Sequence, residues 1–138
     1  MFRAPSRTLF RRMSTLTPVY TKSAPAPAAS YSQAIKVNGF IYVSGQIPLD
    51  TENKPIEGSI SDKTEQVIKN VENVLKAANS GLDKIVKINV FLTDMGNFAE
   101  FNGVYAKYFS EHKPARSCVA VKALPLGMDV EMEVVAVE

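Results

Sequence analysis

Residues 60–92, ISDKTEQVIKNVENVLKAANSGLDKIVKINVFL, change hydrophobic period once. Up to Ala78 the stripe positions are 60, 64, 67, 68, 71, 74, 75 and 78. That 3.6-residue recurrence is the mark of a helix with one buried face. Ser59 or Ser61 is expected to cap its start, and Gly81 to occupy the C′ position. From Lys84 to Leu92 the period drops to two, with Val86, Ile88, Val90 and Leu92 on one face, which predicts a strand.

Reading outward, NGFIYVSGQIP (38–48) predicts a strand entered through an Asn-Gly turn, followed by a polar loop. SAPAPAA (23–29) reads as a Pro/Ala linker that cannot be helical. Asn97 and Glu100 form a capping-box-like pair. They open a second helix with the stripe Phe98, Phe101, Tyr105, Tyr108 and Phe109, closed by Pro114. Ser117–Ala123 and Val130–Val137 predict two further strands around a turn at LPLGMD. The order is strand, strand, helix, strand, helix, strand, strand. It predicts an α+β domain with both helices on one face of a mixed sheet. Along the last strand Val130, Met132, Val134 and Ala136 form the inner face. Glu131, Glu133, Val135 and Val137 form the outer one, which suits a wet subunit interface better than open solvent, so an oligomer is expected.

The chain has 138 residues, the size of one domain. Its 46% apolar and 22% charged residues exclude a disordered chain, and no apolar run reaches a membrane span. One cysteine, Cys118, excludes an internal disulfide, and with a single histidine, His112, it argues against a zinc cluster. No GxGxxG or GxxxxGK[ST] signature is present.

Charge is uneven. Residues 1–13 hold four arginines and no acid. Without those four, 12 basic residues face 14 acidic ones, a poor balance for a nucleic-acid binder. Arg3, Arg7 and Arg11 line one helical face beside Phe2, Leu9, Phe10 and Met13. This is the composition of a mitochondrial presequence, not of a secretory signal, the alternative being a disordered basic tail of the mature protein. Residues 1–17 are assigned to it, with cleavage between Arg12 and Thr17, and residues 18–138 to the single domain.

Beyond residue 12 the chain uses eleven lysines and one arginine, Arg116. A guanidinium differs from an ammonium in its planar fork, which binds carboxylate or phosphate bidentately. An internal salt bridge is the competing use. Arg116 and Cys118 point the same way along a strand. Cys118 reads either as a nucleophile or as a small apolar filler without a His partner. Glu131 and Glu133 share a strand face about 7 Å apart, either as a solvated edge or with one carboxylate activating a water. Asn102, Ser44 and Tyr31 are weaker candidates for pocket lining.

Several motifs occur together in this order: Tyr31-Ser-Gln-Ala, Val43-Ser-Gly-Gln-Ile-Pro48, Lys87-Ile-Asn-Val-Phe-Leu-Thr-Asp94, Phe98-Ala-Glu-Phe-Asn102, Pro114-Ala-Arg-Ser-Cys118 and the closing Val130–Val137. From about Leu16 to Glu138 the chain resembles the Rid family of reactive-intermediate (enamine/imine) deaminases, and its basic N-terminus resembles that of a mitochondrial member. The resemblance implies a chorismate-mutase-like α+β fold and a homotrimer with pockets between subunits. It also implies cofactor- and metal-free hydrolysis of 2-imino acids such as 2-iminobutanoate and 2-iminopropanoate to 2-keto acids and ammonia. Such clearance in the mitochondrial matrix would protect pyridoxal-phosphate enzymes and branched-chain amino-acid synthesis. Carried over, Arg116 clamps the substrate carboxylate and the Cys118 backbone bonds the imine nitrogen. Glu131 holds the attacking water, and Tyr31, Ser44 and Asn102 line the pocket. The alternatives are a non-catalytic binder of small carboxylates, a ribonuclease, and a mitochondrial maintenance factor.

Overall fold

The computed structural model describes residues 14–138. Residues 1–13, which carry most of the expected presequence, lie outside the described residues. The chain forms β1 (Thr17–Val19), β2 (Ala34–Val37), β3 (Phe40–Gln46), α1 (Ile60–Ala77), β4 (Ile85–Leu92), α2 (Phe98–Tyr108), β5 (Ala115–Ala120) and β6 (Val130–Val137). The six strands make one sheet in the order β1-β2-β3-β6-β4-β5. All neighbours are antiparallel except β4 and β5, which α2 connects as a crossover. Both helices belong to one core on one face of this mixed sheet, as expected for the α+β reading.

The core is built from alternate strand positions. Ile41, Val43, Ile88, Val90, Leu92, Val130, Met132, Val134 and Ala136 meet Val67, Ile68, Val71, Val74 and Leu75 of α1 and Phe101 of α2. Full burial of each Val, Leu, Ile, Phe or Met side chain stabilises the fold by about 1.5–3 kcal/mol. The β6 alternation is as read from sequence. So is the hairpin before β3, where Asn38 and Gly39 have φ of 51° and 80°, the pair of positive values that a type I′ turn needs.

Local details differ. One extra strand, β1, precedes the hairpin, and Thr17, assigned to the presequence, pairs with Lys36 in it. The 23–29 segment is not a loose linker. Ala24 is buried, and the buried Gln33 side chain donates to the carbonyls of Thr21 and Pro25 at 3.0 and 2.9 Å. Helix α1 starts on a full capping box between Ser59 and Asp62. It stops at Asn79, with φ of 60°, and not at Gly81. Ser80 and Asn79 donate to Leu75 and Lys76 carbonyls, so the end closes two residues earlier as a Schellman motif.

In β4 the register against β6 shifts between Ile85 and Lys87. That bulge turns Val86 out and puts Ile85 in the core position expected for Val86. Asn97 caps nothing with its side chain; Asp94 instead accepts from Gly96 N at 2.8 Å. Glu100 reaches Ser61 at 3.0 Å and ties α2 to the start of α1. Tyr108, expected on the buried stripe, is exposed, and Val104 is buried in that face. Strand β5 starts and ends earlier than expected, because it pairs with Lys87–Leu92.

Candidate functional site

Strand register divides the candidate residues into two groups. Arg116 and Cys118 pair with Ile88 and Val90, the inward residues of β4, so they face the helices. Glu131 and Glu133 pair with Phe91 and Asn89 and face the other way.

The first group sits on the edge strand β5. Arg116 is half-buried, and its Nη1 donates to Asn102 Oδ1 of α2 at 2.8 Å. Its guanidinium carbon lies 4.5 Å from the Tyr105 ring centroid and 5.6 Å from that of Phe98. Among the described residues no carboxylate pairs with Arg116, so the salt-bridge use is not made here. Burial pushes the Cys118 thiol up, against a smaller downward pull from Arg116, which argues against a thiolate nucleophile. His112 is elsewhere, its Nε2 2.6 Å from the carbonyl of Ile85. The Cys118 backbone is different. Val121 donates to Leu92 O at 2.8 Å, and strand alternation then turns the Cys118 N–H to the open sheet edge.

The second group lies around a bulge. Between Val43 and Gln46 the β3–β6 register shifts, so Ser44 and Gly45 stand opposite the single residue Glu133. Ser44 Oγ donates to Ser32 O at 2.6 Å and its N–H to Gln33 O at 3.0 Å, fixing the segment that carries Tyr31. A cavity of about 440 Å³ opens here, lined by Ala29, Tyr31, Ser44, Gly45, Leu126 and Glu131 among others.

The two carboxylates are not equivalent. Glu133 accepts from Asn89 Nδ2 at 3.0 Å, whereas the Glu131 carboxyl has no hydrogen-bond partner among the described residues. Burial pushes the Glu131 carboxyl up, and the neighbouring Glu133 adds to it. That carboxyl lies directly over Gly45. A Cβ at Gly45 would overlap Glu131 Oε1 and come 2.9 Å from its Cδ.

Gly45, Tyr105 and Phe98 are site features that the functional reading of the sequence missed. The two aromatics looked like core, and a close approach to Gly45 leaves no local signature. Among the described residues, no group of three His, Cys, Asp or Glu side chains gathers to hold a metal, and no helix is long and apolar enough to cross a membrane.

A six-stranded mixed sheet with helices on one face, an arginine on its edge strand and a half-buried carboxylate on the far face define an α+β domain of the Rid type. Residues 21–138 match the family described as endoribonuclease L-PSP, the family that includes the Rid proteins, and the chain belongs to it. It is 67% identical to the mitochondrial protein MMF1 of Saccharomyces cerevisiae over 94% of this chain and 90% of that one. The crystal structure of yeast Mmf1 superposes with a TM-score of 0.89, covering 90% of this chain and 99% of that one at 68% identity. Protein HMF1 of the same yeast is 66% identical, over 91% of this chain and 98% of its own. E. coli TdcF, solved with bound serine, is 34% identical with a TM-score of 0.84, over 88% of this chain and 98% of that one.

Proposed function

We propose that this chain hydrolyses short 2-imino acids, 2-iminobutanoate and 2-iminopropanoate, to 2-keto acids and ammonia. The observation that carries this reading is the Arg116 guanidinium, held by a neutral carboxamide and by ring faces with no carboxylate partner among the described residues. It is left free to take an anion, and the substrate carboxylate supplies one. The serine bound by TdcF is a small ligand with the same carboxylate.

In the proposed reaction the Cys118 N–H at the sheet edge holds the imine nitrogen beside C2. Glu131 takes a proton from a water whose oxygen adds to C2 and returns that proton to the nitrogen, which gives the carbinolamine. As C=O re-forms, the hydroxyl proton passes by way of Glu131 to the amine, the C–N bond breaks and ammonia leaves. A carboxyl whose affinity for protons is raised by burial suits this transfer near neutral pH. Since Arg116 and Glu131 face opposite ways in one protomer, the site needs a second copy, and a homotrimer with sites between subunits meets that need. The exposed outer-face residues Phe40, Tyr42 and Val137 suit such a contact.

Mitochondrial matrix location is part of the proposal. It rests on the arginine-rich N-terminus and on the mitochondrial designation of the yeast relative. In that compartment the activity would protect pyridoxal-phosphate enzymes and branched-chain amino-acid synthesis. Nucleic acid is not proposed as substrate, because the body outside residues 1–13 is mildly acidic.

The serine in TdcF also favours a second reading, a binder of small carboxylates without turnover. The deciding experiment couples a dehydratase that releases the enamine to the purified protein and times the appearance of 2-keto acid and ammonia. Acceleration supports hydrolysis. Ligand binding without acceleration leaves only the binder.

A further inference from the structure

The residues that hold Arg116 come from one stripe of α2. Phe98, Asn102 and Tyr105 stand at i, i+4 and i+7, so they line one helical face beneath the edge strand. Tyr105 is the nearer ring, at 4.5 Å from the guanidinium carbon. It is 8% exposed, and Phe109 and Phe101 pack against it with centroids at 4.5 and 5.7 Å. Its hydroxyl makes no hydrogen bond among the described residues, so what it presents to Arg116 is the face of a fixed ring.

An arginine side chain has many rotamers, and ordering it at the moment of binding weakens affinity. A carboxylate support would order it too, but would compete with any incoming anion for the same donors. A ring face stabilises the flat guanidinium and leaves the fork uncommitted. We infer that Tyr105 is a positioning residue for anion capture, its ring holding the Arg116 fork oriented toward the sheet edge before the ligand arrives. The inference rests on the reading of Arg116 as the carboxylate clamp and goes beyond it by naming what keeps the clamp in place.

The test uses Tyr105→Leu, Tyr105→Phe and Arg116→Ala in the full-length protein, with Tyr105→Met as a second flexible apolar replacement. Steady-state kinetics, the Kd for 2-oxobutanoate and thermal unfolding are measured on each. Loss of the ring should raise KM and Kd about 5–30-fold, the size of one partly desolvated cation–π contact. Turnover at saturation should change by less than about threefold, since pre-orientation acts on binding. Tyr105→Phe should bind nearly as the parent does, because it keeps the ring. If Leu and Met lower the melting temperature while KM and Kd stay put, Tyr105 is only a core residue and the inference fails. Equal loss of binding in Tyr105→Phe would assign the effect to the hydroxyl and also overturn it. Arg116→Ala with unchanged Kd would overturn the clamp reading itself. A weak-binding Arg116→Ala beside near-native Leu and Met variants would overturn the positioning role alone.

Discussion

Arg116 and Glu131 lie on opposite faces of one sheet. Arg116 pairs with the buried Ile88 of β4, and Glu131 pairs with the outward Phe91. These two β4 positions are three apart, an odd step along a strand, so their side chains emerge on different sides. In the proposed reaction both groups act on one substrate, and each site then takes its arginine from one copy and its carboxylate from another. This predicts complementation. Arg116→Ala and Glu131→Gln, each strongly impaired alone, should regain activity when unfolded together and refolded as a mixture. Random pairing at equal amounts restores about one quarter of the sites if each site is shared by two neighbours in a ring. No recovery in mixed oligomers of verified composition would place both residues in the same subunit's site, or in none.

Arg116 itself is tested by shape against charge. Charge-assisted hydrogen bonds are worth roughly 1.5–3 kcal/mol each, and 1.4 kcal/mol is about tenfold. Arg116→Ala should therefore lower kcat/KM by about 10²-fold or more. Arg116→Lys should recover little of it, because the ammonium lacks the fork. Melting temperatures should change little, since no ion pair is broken. Near-native turnover in the lysine variant would show that a point charge suffices.

The difference between the carboxylates predicts different losses. Glu131→Gln should reduce turnover by about 10²-fold, the usual size of a general-base contribution. Glu133, already bonded to Asn89, should matter much less on the same substitution. Equal losses from the two substitutions would move the effect from proton transfer to the field of the pair.

The outline of this fold was legible because periodicity survives in single elements. The α1 stripe and the β6 alternation depend on local spacing alone, and both are found as read. What was not legible depends on pairing between distant segments. The bulge that exchanges Val86 for Ile85 exists only because β4 must register with β6. Glu100 looked like a cap to Asn97, but a better donor set, Ser61, waits 39 positions away. In the candidate site, single arginine use singled out Arg116, and only the family resemblance chose Glu131 over Glu133. Their opposite orientation required the parallel β4–β5 register, which no local pattern carries.

Acid titration should report the Glu131 environment. Its carboxyl titrates above the ordinary Glu range when folded, so the folded state binds that proton more tightly than the unfolded state does. The group therefore lowers stability as pH rises from the unfolded Glu value, near 4.3, through the folded one, and the penalty persists above that. Glu131→Gln should melt at or above the parent temperature at neutral pH, with the gap closing on acidification. Activity should fall on the acid side as Glu131 takes up its proton, with a midpoint above the ordinary Glu value. A Glu131→Gln protein less stable than the parent at pH 7 would mean that the carboxylate has a structural partner.

The proposed N-terminal address is expected to be separable from the domain. A chain beginning at Ser14 lacks all four N-terminal arginines and should remain in the cytosol with its catalytic rate unchanged. Fractionation of cells expressing the two forms, with activity measured in each fraction, checks this. Continued import of the shortened chain would place the address elsewhere.

Gly45 offers a way to move Glu131 without removing it. A methyl group there would overlap Glu131 Oε1 and crowd its Cδ, while the Gly45 φ lies outside the left-handed region that excludes other residues. The obstacle is the far end of a flexible side chain, so Gly45→Ala should rotate the carboxylate away and leave the backbone in place. The fold should keep its oligomeric state, with a melting temperature near that of the parent. Turnover should fall at least tenfold, the loss following a displaced base and not a lost one. The decisive measurement is the double variant with Glu131→Gln. If Gly45→Ala acts only through the carboxylate, adding it to Glu131→Gln should cost little more, and the two losses should be far from additive. Full additivity would show that Gly45 serves the site independently, through the shape of the β3 bulge or the cavity wall.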